Sequence, residues 1–506
     1  MRTALVPAVL AVALLLLGPP AHAATVTGSA RVEGGVKGPE FSVLDLSVRG
    51  DPGESSALTV TLPAEGGVEV ADAAAPLVAA GSCTQASPSA VVCGGPSMLG
   101  RFSAELGDGN DRLGLGTASF GFGTIIAAGP GADEINGGPS LDSIDGGGGP
   151  DILRGGDGGD SLTDGDSTGA ADADVLDGGP GDDALSYAKR SGALAIDLPT
   201  ARAGEAGEND QLAGIERVTG GAGPDVITGT GANDGLDGGS AGPDVITAGA
   251  GSDSIGLGGG GRANAGAGDD LIDCGAACTI EGGAGRDEVI GSDAADRILG
   301  GPGRDEVFAL AGDDIVDGGA GNDVLGGGFE GVREGRDGHD RITGGAGDDR
   351  LVDSTETDRY DAGPGRDLVL ALDGRADRVS CGPGRDRLIG DRRERARGCE
   401  RRTVGAHVRF TGSRRLQLAG GTLTVDLECP AYALGSCRGR LEARAGGVLV
   451  GRRRYRGTGS VSGDIRLSAA GRRLVRSAGR VTVVARGGDA TGGIHVARRQ
   501  LRLRRG

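Results

Sequence analysis

The sequence predicts an all-β chain: a flattened parallel β-roll flanked by two small β-domains, the C-terminal one an immunoglobulin-like sandwich. Three observations predict it. Residues 282–326 read GGAGRDEVI, GSDAADRIL, GGPGRDEVF, ALAGDDIVD, GGAGNDVLG, nine-residue units that follow one another without a gap. Glycine supplies 105 of the 506 residues while tryptophan is absent and aromatics make up 2%, too little bulk for an ordinary large globular core. Outside the glycine-rich stretches, short runs of alternating apolar and polar residues mark strands. Collagen is excluded, because glycine does not recur at every third position.

In each of the five units the sixth residue is an aspartate and the eighth is aliphatic. Glycines reach backbone conformations closed to other residues, so the first six positions can turn while the last three extend. Side chains alternate along a strand, and the eighth residue alone points inward. Two units make one coil, with turns stacked along both edges, and each edge then carries a ladder of aspartates. Rungs stand about 4.8 Å apart, where two carboxylates repel by roughly 1 kcal/mol in water and more when screened from it. Such a ladder calls for cations. Carboxylates plus turn carbonyls in a flexible loop suit Ca²⁺ better than Mg²⁺, which demands a tight octahedron. One inward aliphatic per nine residues is a thin core, so metal binding is expected to decide folding.

The unit resembles GGxGxDxUx, the nonapeptide of the haemolysin-type calcium-binding (RTX) repeat proteins, and the resemblance implies a Ca²⁺-dependent parallel β-roll with multiple calcium ions. About two dozen units, several imperfect, cover roughly half of the chain. In the first array, residues 106–186, the candidate metal ligands are Asp111, Asp133, Asp142, Asp151, Asp160 and Asp183, with Asp174 in the same place of an irregular segment. In the second, residues 220–402, they are Asp225, Asp234, Asp244, Asp253, Asp270, Asp287, Asp296, Asp305, Asp314, Asp323, Asp340, Asp349, Asp367, Asp377 and Asp386. The unit near 257–264 places Ala263 where the aspartate belongs, and 353–361 lacks its glycines. The fifth position is often Arg (Arg286, Arg304, Arg366, Arg385), where Asp or Asn would add a ligand.

Residues 1–23 read as a secretory signal peptide: Arg2, an apolar run over 4–17, a breaker at Gly18, Pro19 and Pro20, and an A-x-A site ending at Ala23. The run is short for a membrane anchor, and no later stretch could cross a bilayer. The chain is therefore expected to be secreted and extracellular, without a transmembrane segment after cleavage. Eight cysteines fit that compartment. They fall as neighbours, Cys83 with Cys93, Cys274 with Cys278, Cys381 with Cys399 and Cys429 with Cys437. Short loops close at the least entropic cost, so adjacent disulfides are expected rather than zinc sites, which would want regular spacing and nearby histidines.

Residues 24–105 alternate in short runs and read as a small N-terminal β-domain closed by Cys83 and Cys93. Residues 187–219 carry no nonapeptide; Leu194, Ile196 and Leu198 alternate there, as in a spacer that caps the roll or lies on it as a hairpin. Residues 403–506 are basic and read as a β-sandwich stapled by Cys429 and Cys437. The net charge of -19 hides this asymmetry. From residue 391 on there are 27 arginines against eight acids, which leaves 25 basic and 63 acidic residues before it. Those arginines could hold cell-surface or matrix polyanions, although a solvated basic face is the plainer reading. No specific nucleic-acid partner is indicated.

Catalytic machinery is not visible. GDSTG (165–169) and GGSAG (238–242) match a nucleophile elbow, and GLGGGG (256–261) a dinucleotide loop, but none has the required strand before it and helix after it. The four histidines are scattered and no H-E-x-x-H occurs. The sequence thus predicts a secreted, non-enzymatic calcium-binding protein, structural or adhesive. The alternative is a secreted hydrolase in which the roll is only a folding module.

Overall fold

The computed structural model describes residues 24–503 except 34–40, 51–52, 54, 64–66, 95–97, 166–172, 328–337, 353–355, 372–374, 391–393 and short stretches after 404 (405–408, 412–414, 417, 420–421, 430–436, 446–447, 458, 479, 489–493). The expected signal peptide lies outside the described residues. The chain divides into two compact units at residue 183.

In the first unit, Arg112–Gly114, Glu134–Gly138, Ile152–Gly156 and Val175–Asp177 stack in parallel in one sheet. Thr124–Pro130, Asp142–Gly148 and Ser161–Thr163 do the same in another. Successive strands alternate between the sheets, so two nonapeptides make one coil. The eighth residues, Ile135, Ile144, Leu153 and Leu162, are buried as the period requires.

The boundary expected at residue 105 is not one in the hydrogen bonding. Met98–Glu105 pairs in parallel with Thr124–Pro130 and with Phe41–Arg49, and Ala57–Thr61 pairs in parallel with Arg112–Gly114. The first coil of a roll exposes two open strand edges, and segment 24–105 covers both. Its outer strands turn antiparallel, and the Cys83–Cys93 disulfide ties the last hairpin as expected.

The second unit repeats the pattern at greater length. One sheet runs from Val226–Thr228 through Asp244–Ala250, Gly261–Ala267, Cys278–Ala284, Arg297–Gly303, Ile315–Gly321, Arg341–Ala346, Arg359–Asp361 and Arg378–Ser380 to Arg395–Arg397. The other runs from Arg217–Thr219 to Arg401–Val404. Between them lie one aliphatic or aromatic residue per strand, among them Val289, Ile298, Val307, Val316, Leu325 and Tyr360. The turns need glycine where φ is positive, as at Gly283 (109°) and Gly285 (138°).

The spacer, expected as a cap or a hairpin lying on the roll, is built into the roll. Ala195–Asp197 joins the sheet beside Val226–Thr228, and an antiparallel excursion through Arg202–Ala203 and Asp210–Ala213 grows out of that coil. Two buried polar contacts hold it: an Arg190–Glu208 ion pair at 3.0 Å, and the Tyr187 hydroxyl donating to Asp210 Oδ2 at 3.0 Å.

Beyond residue 404 there is a four-stranded sheet around Thr422–Cys429 and a five-stranded one around Cys437–Ala445. Leu423, Val425, Leu441, Ala443, Val481 and Val483 are buried in alternation. Among the described residues the one departure from all-β is the helix Ala469–Ala478, entered after Ser468. Its alanines, leucine and arginines favour helix, Ser468 stands at the N-cap position, and Val475 is its buried anchor. The expected Cys429–Cys437 pair falls on side chains outside the described part.

Candidate metal centres along the two edges

All the sixth-position aspartates singled out by the spacing, from Asp111 to Asp386, are buried, none more than 4% exposed. Within each compact unit the coil geometry stacks them in two columns. In each column the carboxylate Oδ1 accepts the backbone N–H of the equivalent residue one coil earlier. Asp287 donates to Asp305 at 3.0 Å, Asp305 to Asp323 at 2.9 Å, Asp323 to Asp349 at 2.9 Å and Asp349 to Asp367 at 2.9 Å. The opposite column repeats this from Asp296 to Asp314 (2.8 Å) and Asp314 to Asp340 (3.0 Å). Asp174 takes its expected place, accepting from Asp151 at 2.7 Å. Repulsion between rungs is thus offset on one oxygen by an N–H donor.

The other oxygen is the informative one. Among the described residues, Oδ2 of Asp111, Asp133, Asp142, Asp160, Asp244, Asp253, Asp270, Asp287, Asp305, Asp314, Asp323, Asp349, Asp367 and Asp386 is buried with no hydrogen-bond partner. A buried ionised oxygen without a partner is strongly unfavourable. Where the unit begins with glycine, it points over that residue: a methyl placed on Gly300 would lie 2.7 Å from both Asp305 Oδ2 and the Gly318 carbonyl oxygen. Gly282 (Asp287 Oδ2 and Gly300 O, 2.7 Å each) and Gly318 (Asp323 Oδ2 and Gly344 O, 2.6 Å each) build the same cradle. At these units the missing side chain leaves that space open. Its walls are carboxylate and carbonyl oxygens, the donor set of a hard divalent cation.

Burial pushes these carboxyls up. Asp151 rises to about 8, Asp142, Asp287, Asp314 and Asp367 to about 7, and Asp305 and Asp349 to about 6, with desolvation the leading cause, backbone donors opposing it and neighbouring carboxylates adding to it. Without a cation the most shifted of these carboxyls, Asp151 first, therefore hold protons near neutrality.

Several sites are closed by the chain itself, Asp225 among them, its Oδ2 accepting from Gly221 N at 2.8 Å. Asp296 Oδ2 accepts from Ser292 N (2.7 Å) and Ser292 Oγ (3.0 Å), and Asp234 Oδ2 from Thr230 N and Oγ1 (3.0 Å). Asp358 Oδ2 accepts from the Tyr360 hydroxyl at 3.2 Å. Asp358 was not among the residues singled out, since its unit lacks glycines, yet it is a full rung: Asp340 donates to it at 2.8 Å and it donates to Asp377 at 2.9 Å. Its spacing of 18 and 19 residues from those neighbours is the signal that locates it. Glu394 and Glu400, accepting from Asp377 (2.9 Å) and Asp386 (2.7 Å), end the two columns and were likewise not foreseen.

One further expectation is corrected by register. Asp244 pairs with Gly261, and Ile246 with Ala263. Ala263 thus fills the inward place and Gly261 is the rung without a carboxylate, because this coil is one residue short. Fifth-position Asp and Asn are engaged with backbone: Asp269, Asn233 and Asn322 accept, at 2.8 Å each, the N–H of Arg286, Ser252 and Asp348.

The family described as RTX calcium-binding nonapeptide repeat matches residues 125–166, 167–187, 212–240, 239–262, 279–307, 299–329 and 334–369. The chain carries RTX calcium-binding repeats. Its repeats bind calcium ions at multiple sites. The RTX match skips 263–278, and the register puts Gly261, just before that gap, and Cys278, at its end, on consecutive rungs of one column in place of aspartate. Cys278 is bonded there to Cys274, which leaves no thiolate for a metal, and its N–H donates to Asp296 Oδ1 at 2.7 Å. No curated protein matches the chain. Ca²⁺, when bound, supplies the positive charge that lets the ladder carboxylates remain ionised inside the roll. The residues that would hold it are the aspartates with an open Oδ2, together with the glycine carbonyls facing them.

Proposed function

We propose that this repeat protein is secreted, that its arrays fold on meeting extracellular calcium, and that the folded roll is a rigid structural element in adhesion or surface association, with no catalytic activity of its own. The observation that carries the reading is the row of buried, partnerless Oδ2 atoms: a folded roll at neutral pH needs a cation at each, and the unfolded chain does not. Ligand binding to the folded state alone drives folding by mass action. Cell-surface polyanions are the partners that suit the basic C-terminal region.

Far-UV circular dichroism during a calcium titration, from chelator to about 10 mM with magnesium as control, tests this. A calcium-specific gain of β signal with a midpoint of about 0.1–1 mM, in the range of extracellular calcium modules, is expected. A spectrum already β-rich in chelator at neutral pH and unmoved by calcium would refute a folding switch. Turnover of polysaccharide, lipid or protein substrates by the full chain would refute the non-enzymatic reading.

A further inference from the structure

The register of the second array places four arginines side by side on the outer face of one sheet. Arg341 pairs with Arg359, Arg359 with Arg378 and Arg378 with Arg395, on four consecutive coils. All four are exposed, and among the described residues none of their guanidinium groups has a hydrogen-bonding or ion-pairing partner. The next outward column on the same strands is Thr343, Asp361, Ser380 and Arg397, so the panel carries five arginines against one acid. Earlier strands of the same column carry Val226, Val245, Arg262, Thr279, Arg297 and Ile315, and the uninterrupted arginine run is confined to one end.

Like charges directly opposite one another on neighbouring strands are destabilising, and here they recur at the strand spacing of about 4.8 Å. Compensation of the buried aspartate ladder does not account for the run. Each arginine follows a rung in sequence (Asp340, Asp358, Asp377, Glu394) but faces the other way, toward solvent. What relieves the repulsion is an external ligand that brings a negative charge to each coil. Guanidinium groups pair bidentately with carboxylate and sulfate.

We infer that this arginine panel is a binding site for an extended anionic polysaccharide, a polymer carrying a carboxylate or sulfate on successive sugars. The flat parallel sheet repeats its charge at a spacing comparable to that of sugar rings along an extended chain. Single-stranded nucleic acid is the less suited polyanion, because its binding relies on aromatic stacking platforms and the panel has no aromatic side chain.

The test is carried out on the full chain in saturating calcium, with immobilised heparin and polygalacturonate as probes and an oligodeoxythymidylate of matched charge as comparison. Replacing Arg341, Arg359, Arg378 and Arg395 together by Ser is expected to weaken polysaccharide binding by roughly tenfold or more at physiological salt. The control replaces four exposed arginines at fifth positions of the opposite column, Arg286, Arg304, Arg366 and Arg385, by Ser and removes the same charge. If the control loses as much affinity as the panel variant, or the panel variant binds like wild type, the site is overturned. Tighter panel-dependent binding of the oligonucleotide would overturn the ligand class. Should the fourfold variant not fold, Arg359→Glu and Arg378→Glu, made singly, are expected to weaken binding in the same sense, and wild-type affinity in both would sink the proposal. Binding is read on folded protein, so a roll that proved β-rich without calcium would refute the folding switch and leave this test intact.

Discussion

At the scale of the residue, two oxygens of one carboxylate have different tasks. Oδ1 of Asp305 is committed to the N–H of Asp287 while Oδ2 faces the space over Gly300. Asp305→Asn keeps an acceptor for the N–H and removes the charge, so native mass spectrometry should find fewer bound calcium ions and the calcium midpoint should rise. Asp358→Asn is the contrasting case, because Tyr360 already engages its Oδ2; its calcium count should equal that of the unchanged protein. Gly300→Ala would push a methyl against two oxygens and should destabilise the calcium-bound roll by about 1–3 kcal/mol, measured by denaturant unfolding. The sixth-position aspartates were legible in the sequence because a fixed spacing and an identical residue recur together. The second-position hydroxyls of Thr230 and Ser292 were not. Their meaning depends on where Oδ2 of the same unit points, which spacing along the chain does not encode.

At the scale of the element, each coil depends on its two neighbours, and the weak coils are those that lack a rung. Gly261 and Cys278 follow one another in one column, where neither offers a carboxylate. The Cys274–Cys278 disulfide sits in that gap and is a covalent restraint where the ladder supplies none. A disulfide closing so short a loop contributes about 2 kcal/mol by restricting the unfolded chain. Replacing both cysteines by serine should therefore lower stability by about that amount in saturating calcium, read by denaturant unfolding, with the calcium count unchanged. The pairing was predictable from adjacency. Its position in the ladder was not, because the coil is one residue short and Ala263 stands in for the rung at Gly261 until the register is seen. The N-terminal segment went astray for a related reason: alternation identifies its strands, but only pairing shows that two of them extend the roll.

At the scale of the whole molecule, the buried carboxylates set how the fold responds to pH. Their folded values, about 6 to 8 for the most shifted, lie above those of an unfolded chain because burial disfavours the charged form. Between about pH 4 and the folded values, the folded chain without calcium holds protons that the unfolded chain has released, so stability falls as pH rises through that window. Acid should thus substitute in part for calcium. In calcium-free buffer the β signal should be present near pH 4.5 and lost as pH rises toward 7.5, the reverse of ordinary acid denaturation. Calcium at pH 7.5 should restore it, because the ion supplies at each open Oδ2 the compensation that a proton supplies in acid. Circular dichroism across pH, with and without calcium, checks both limbs. A calcium-free roll more stable at pH 7.5 than at pH 4.5 would mean that the ladders are ionised and satisfied without a metal. That outcome would contradict the partnerless Oδ2 atoms on which the calcium-driven fold rests.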